Sequence, residues 1–196
     1  MELGFYRFAN KEPNKLAIVG PNEELVSRGE LLSKANKLTH ALRDLGLKKF
    51  DTVAVVLPNS VEYFVVYMAC LQAGFYLVPI NWHLAGPEIA YILEDSEAKA
   101  FIASGKNPDM EKACINAVSE ISFDKKGCIT IDELEGFRHI DDFTKSMPDE
   151  NPHDRSAGQV MNYTSGTTGK PKGVKRNLVE GDPDDVLSLF AMIFSF

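Results

Sequence analysis

Tyr163 to Val174, YTSGTTGKPKGV, is the stretch that fixes what the rest of the chain must build. Two glycines (Gly166, Gly169), four hydroxyls (Thr164, Ser165, Thr167, Thr168) and two lysines (Lys170, Lys172) fall within nine residues. Glycine has no Cβ, so backbone N–H groups there can approach an anion closely and adopt φ > 0. The hydroxyls add neutral donors, and each lysine adds a charge-assisted one worth roughly 1.5–3 kcal/mol. Pro171 fixes φ between the two lysines and limits how far the second can wander. Entered from the apolar strand expected over Gln159 to Tyr163, the string reads as a polyphosphate cradle.

It is neither of the two common phosphate loops. A Walker A loop has four residues between its glycines and a Ser or Thr after the lysine. Here two residues separate Gly166 from Gly169, and Pro171 follows Lys170. The dinucleotide fingerprint G-x-G-x-x-G fails as well, since Tyr163-Thr164 supplies no first glycine. A flexible Gly/Thr turn would not require the hydroxyls, glycines and lysines all in place. The string resembles, without interruption from Tyr163 to Val174, the phosphate-binding signature of the adenylate-forming enzymes: acyl-CoA synthetases, luciferases and peptide-synthetase adenylation domains.

Outward from the loop, the chain alternates strands and helices. Leu16 to Val19 is a short strand ended by Gly20-Pro21-Asn22. Ser27 and Glu30 have the spacing of a capping box, followed by Leu31, Ala35, Leu38, Leu42 and Leu45 at helical intervals and Gly46 as the stop. Thr52 to Leu57 is β-branched without alternation, as a parallel strand buried on both faces requires. Pro58 ends it, and Asn59 is the expected cap of a helix over Val61 to Ala73 that is apolar nearly all round and closed by Gly74. Tyr76 to Ile80, Ala100 to Ala103 and Cys128 to Ile131 are further strands. Pro87 opens one helix, and Asn107-Pro108 opens another with Met110, Cys114 and Ala117 on its core face. The fold class that follows is α/β, a mostly parallel sheet with flanking helices. Its expected organisation is a βαβ-type subdomain over 1–132, a surface connector over 133–158, and a strand, phosphate loop and helix over 159–196.

Composition narrows the function classes. With 196 residues, 44% apolar and 25% charged, the chain can build a real core. A net charge of −7 without a basic stripe argues against nucleic acid as a partner. Cys70, Cys114 and Cys128 read as reduced structural thiols, the first residues contain no signal-peptide core, and no run is long enough to span a membrane. The expectation is a cytoplasmic protein. His40, His83, His139 and His153 have no i,i+3 or i,i+4 partner, so no metal site is expected. No G-x-S-x-G elbow is present. Asp141-Asp142 and Asp184-Asp185 read as solvated loop residues, and Trp82 with the aromatics of the 61–73 helix reads as core.

The resemblance extends through Ala9 to Ile18, Leu31 to Asp51, Leu57-Pro58-Asn59 with Glu62, Gly74, and Pro79-Ile80-Asn81 through Tyr91-Ile92-Leu93, all similar to the opening third of a fatty acyl-CoA synthetase. It implies the N-terminal part of an AMP-forming acid–thiol ligase. A carboxylic acid, fatty or aryl, would react with ATP and Mg2+ to give an acyl-adenylate and pyrophosphate, and CoA would then take the acyl group. Thr164, Ser165, Gly166, Thr167, Thr168, Gly169, Lys170 and Lys172 would bind the ATP phosphates, with Lys172 the nearer lysine.

Two local departures stand out. Phe50 replaces the family's usual glycine before Asp51. After the loop, Lys175-Arg176-Asn177-Leu178 and Gly181-Asp182-Pro183-Asp184-Asp185 replace the usual histidine-containing stretch, which puts the helix expected there in doubt. Arg176 could add positive charge near the phosphates, or be a solvated partner of Lys175. Val186 to Phe196 is an apolar run without a helix stop, an association patch if exposed. The resemblance supplies no catalytic residue within these 196, so the chain alone is expected to be inactive. The alternative is a non-catalytic nucleotide-binding or interaction module that needs a separately encoded C-terminal half.

Overall fold

Thr52–Val56 (β3 in chain order) is buried at all five positions, and the molecule is layered around it. The structure, a computed structural model, describes residues 4–164 and 170–186. The elements before β3 are α1 (Phe5–Lys11), β1 (Leu16–Val19), β2 (Leu25–Ser27) and α2 (Arg28–Asp44). After it come α3 (Val61–Ala73), β4 (Tyr76–Pro79), α4 (Gly86–Asp95), β5 (Ala98–Ala103), α5 (Pro108–Glu120), β6 (Cys128–Thr130), β7 (Arg138–His139) and α6 (Ile140–Thr144). Three short strands follow: β8 (Gln159–Val160), β9 (Asn162–Thr164) and β10 (Lys172–Val174). Six strands form one parallel sheet in the order β7-β6-β5-β3-β4-β8, which makes the fold α/β as expected.

Side chains of a strand alternate between faces, and here both faces are apolar. Val53 and Val55 pack with Leu38, Leu42, Val65 and Ala69 of α2 and α3. Ala54 and Val56 pack with Ile89, Leu93, Met110 and Cys114 of α4 and α5. Truncating a buried leucine such as Leu38 costs about 2–5 kcal/mol in such a core.

Local signals set the helix ends. Ser27 Oγ accepts from Glu30 N while Glu30 Oε2 accepts from Ser27 N, a complete capping box on α2. Gly74 ends α3 in the left-handed region, at φ 75°. The cap of α3 is Ser60, whose Oγ accepts from Tyr63 N, rather than Asn59. A buried amide network joins α2 and α3 to the later chain. Gln72 Nε2 donates to Asn36 Oδ1 and Thr39 Oγ1, and Asn36 Nδ2 donates to Asp149 O.

Four further expectations need correction. The 133–158 stretch contributes β7 to the sheet edge and forms α6, because Ile140 and Phe143 bury against the core. The strand expected over Gln159–Tyr163 breaks at Met161: β8 stays in the sheet while β9 leaves it to pair with β10. Trp82 and Phe64 stand exposed at 39% and 45%, so aromatic character alone did not place them in the core. Asp184 is buried rather than solvated. Its Oδ2 accepts from Arg155 Nη2 at 3.2 Å, and burial raises its pKa, partly offset by Arg155. Asp185 pairs with Arg7 at 2.7 Å.

The three cysteines are free and buried, and burial raises every thiol pKa, Cys114 to about 12 and Cys128 to about 11. Among the described residues no helix is long and apolar enough to cross a membrane.

Phe50 sits at φ 74°, a region that disfavours side chains with a Cβ, and its ring is half exposed. Phe50→Gly is expected to stabilise the protein by about 0.5–1 kcal/mol, strain relief outweighing the unfolded-state entropy that glycine adds. Urea unfolding checks this: the midpoint should rise at unchanged m-value, and a fall would refute the strain.

Candidate functional site: the phosphate-loop hairpin

The loop is carried on a two-stranded antiparallel hairpin in which Thr164 pairs with Lys172, Gly173 with Tyr163 and Val174 with Asn162. Directly opposed residues share a face, so the Thr164 hydroxyl and the Lys172 ammonium emerge side by side at the neck. Both residues are exposed. Of the residues expected to bind phosphate, Thr164, Lys170 and Lys172 are described, whereas Ser165, Gly166, Thr167, Thr168 and Gly169 lie outside the described residues.

Three tyrosines fasten the hairpin to the sheet domain. Tyr163, on the face opposite Thr164, donates its hydroxyl proton to Asp95 Oδ2 at 2.6 Å. Tyr91, one helical turn before Asp95 on α4, donates to the Pro171 carbonyl at 3.0 Å. Tyr76 of β4 donates to the Arg176 carbonyl at 2.6 Å. Gly173 is required by the same packing, since a Cβ there would meet the Tyr163 ring and the end of Met161. Burial, with the Asp95 carboxylate beside it, pushes the Tyr163 phenol well above its usual pKa, and the same two causes raise Tyr91.

The lysines have different environments. The Lys170 ammonium lies 4.9 Å from the Tyr91 ring centroid and Lys175 lies 4.8 Å from that of Tyr76, both cation–π contacts. Among the described residues Lys172 makes no such contact, and it shares its face with Thr164. That face carries Asn162, Thr164 and Val174, which with Arg176, Tyr67 and Gln159 line a cleft of about 430 Å3. Gln159 Oε1 is buried without a hydrogen-bond partner among the described residues. Among the described residues no three His, Cys, Asp or Glu side chains converge as a metal site. Sequence reasoning found the loop but missed its anchors, Tyr91 and Asp95. The available signal was their i,i+4 spacing at the end of α4, combined with a tyrosine inside the entering strand.

The chain belongs to the AMP-binding enzyme family, whose profile matches residues 5–178 and so takes in the sheet domain and the hairpin. It is 32% identical over 170 residues to long-chain-fatty-acid–CoA ligase FadD13 of Mycobacterium tuberculosis, covering 85% of this chain and 32% of that protein. It is also 32% identical over 173 residues to fatty acid–[acyl-carrier-protein] ligase ScoC of Streptomyces coeruleorubidus, covering 85% of this chain and 30% of that protein. The chain thus spans about a third of the length of these relatives. Its fold matches the anthranilate CoA ligase AuaEII, solved with anthranoyl-AMP, at a TM-score of 0.73 and 23% identity over 97% of this chain and 36% of that one.

A tyrosine whose folded-state pKa is raised binds its proton more tightly when folded. Its contribution is fully present below the ordinary value of 10.0 and declines as pH rises through the folded pKa. Stability should therefore fall from about pH 10 upward, and Tyr163→Phe should remove up to one proton from that slope. Urea midpoints across the alkaline range test this, and an unchanged slope in the variant would place the titration elsewhere.

Proposed function

We propose that this chain is the N-terminal part of an ATP-dependent acyl-CoA ligase and that its hairpin holds the ATP phosphates. In the intact enzyme a carboxylate attacks the α-phosphate, forming an acyl-adenylate and releasing pyrophosphate. The CoA thiol then attacks the acyl carbon and releases AMP. The observation that carries the reading is the neck of the hairpin, where Thr164 and Lys172 stand side by side on an exposed face beside a cleft. Donors set in advance where charge develops on the leaving pyrophosphate lower the barrier without reorganising at the moment of reaction. Thr164, Ser165, Thr167, Thr168 and the amides of Gly166 and Gly169 are the neutral donors, and Lys170 and Lys172 neutralise charge. Lys172 is the principal cation, since Lys170 is engaged by Tyr91. Magnesium would be held by phosphate oxygens and supply further charge neutralisation there.

The acyl substrate is a carboxylic acid of the fatty or aryl class, by analogy with the relatives named above. Because the chain spans a third of those relatives, we take the reaction to need groups beyond these residues, supplied in one polypeptide or by a separate C-terminal half. Of the three parts expected over 1–132, 133–158 and 159–196, we take the last as the ligand-bearing one, while 133–158 joins the sheet of the first through β7.

Thermal unfolding with ATP and magnesium, run beside pyrophosphate release with fatty and aryl acids, tests the proposal. The expected result is an ATP-dependent rise in Tm that Lys172→Ala abolishes and Lys170→Ala reduces, with no pyrophosphate release. Loss of one charge-assisted contact, about 1.5–3 kcal/mol, corresponds to a rise in Kd of about ten- to a hundredfold. Turnover by these residues alone would overturn the need for further groups. An ATP shift indifferent to Lys172 would overturn its role, and no shift would overturn the cradle itself.

A further inference from the structure

At the opposite end of the sheet from the hairpin, α2, α3 and α6 enclose a second cleft of about 380 Å3. Its floor is apolar: Leu38, Val65 and Ile140 belong to the core, and Ile131 packs against it. Its mouth carries three cations, Lys34 and Lys37 from α2 and Lys145 after α6, all lining the same space. None of the three has an ion-pair or hydrogen-bond partner among the described residues, whereas Lys15 and Lys99 pair with Glu12 and Asp51.

Two carboxylates also reach the cleft, and both belong to helix starts. Glu62 lies in the first turn of α3 and Asp141 in the first turn of α6, where the helix dipole favours negative charge. His139 Nδ1 accepts from Asp141 N at 3.2 Å and so caps α6. Three lysines against two carboxylates leave the cleft with an excess of one positive charge, and Lys34 also faces Glu30 on its own helix, so Lys37 and Lys145 are the cations left to a ligand above the apolar floor. The volume falls within the range of small-molecule sites.

We propose that this cleft binds an amphiphilic anion: a compact apolar body that covers the Leu38–Val65–Ile140 floor and a single anionic head taken by Lys37 and Lys145. Burial of the tail is favourable by about 0.8 kcal/mol per methylene, and the head chooses the sign of the ligand. The site is independent of the phosphate hairpin. No residue lines both this cleft and the one beside the hairpin, although α3 contributes to each.

The test uses the full chain and titration calorimetry with octyl sulfate, an anion that cannot serve as an acyl donor. Octanol and octyltrimethylammonium, with the same tail and a neutral or cationic head, are run beside it. Octyl sulfate should bind one saturable site, more tightly than either control, and more weakly as salt rises. Lys37→Gln/Lys145→Gln, which changes accessible side chains and should leave the Tm in place, should raise its Kd at least about tenfold. Lys172→Ala should leave it unchanged. Equal affinity for the cationic amphiphile, an unaltered Kd in the double variant, or no saturable binding at millimolar concentration would each overturn the proposal. A loss caused by Lys172→Ala would instead assign the binding to the hairpin.

Discussion

The constraint on which the rest depends is the two-sided burial of β3. A parallel strand that is apolar on both faces has no side to give to water, so helices must cover both. The residues that satisfy this are set by alternation. Val53 and Val55 take α2 and α3, and Ala54 and Val56 take α4 and α5. Once β4 lies on one side of β3 and β5 on the other, the strand order reverses there, as it does in doubly wound sheets. The hairpin then has a defined place, because β8 docks on β4 and releases the chain at Met161 toward α4.

The hairpin shows how an exposed element is held without a core of its own. Two short strands are marginal by themselves. Hydroxyls of Tyr91 and Tyr76 bind backbone carbonyls on the outgoing strand side, and that of Tyr163 binds a carboxylate on the domain. Binding to backbone leaves the side chains of Lys172 and Arg176 exposed. Anchoring thus falls to aromatic residues below the neck, which leaves Thr164 and Lys172 exposed at it.

Much of this is legible in the sequence because it is local. The β-branched run at 52–57, the Ser27–Glu30 pair, and the glycine at 74 each act within a few residues, and each produced the element it announces. The family was equally legible, since the resemblance at 163–174 is written in consecutive residue types. What escaped depends on distant partners. The break at Met161 exists because Lys172–Val174 pairs with Asn162–Thr164. Asp184 is buried because Arg155, stacked 4.6 Å over the Tyr6 ring, meets it there. Phe64 and Trp82 stand exposed because burial is decided by what packs against a helix face or loop, which hydrophobicity does not report. Asp95 as the anchor of Tyr163 joins residues 68 positions apart, a relation no window of sequence contains.

The lateness of β8 has a consequence for how the chain is made. Its partner β4 is complete about 80 residues earlier, and at ordinary elongation rates that interval lasts roughly 4 to 16 seconds. Hairpins and helices form in microseconds, so β3, β4 and their helices have ample time to assemble before Gln159 leaves the ribosome. During that wait the outer edge of β4 presents unpaired N–H and C=O groups on Tyr76 and Leu77, with no charged side chain to discourage a stranger. The nascent domain therefore passes through a period in which its most adhesive surface is one that the finished protein conceals. A two-residue strand is what closes that period.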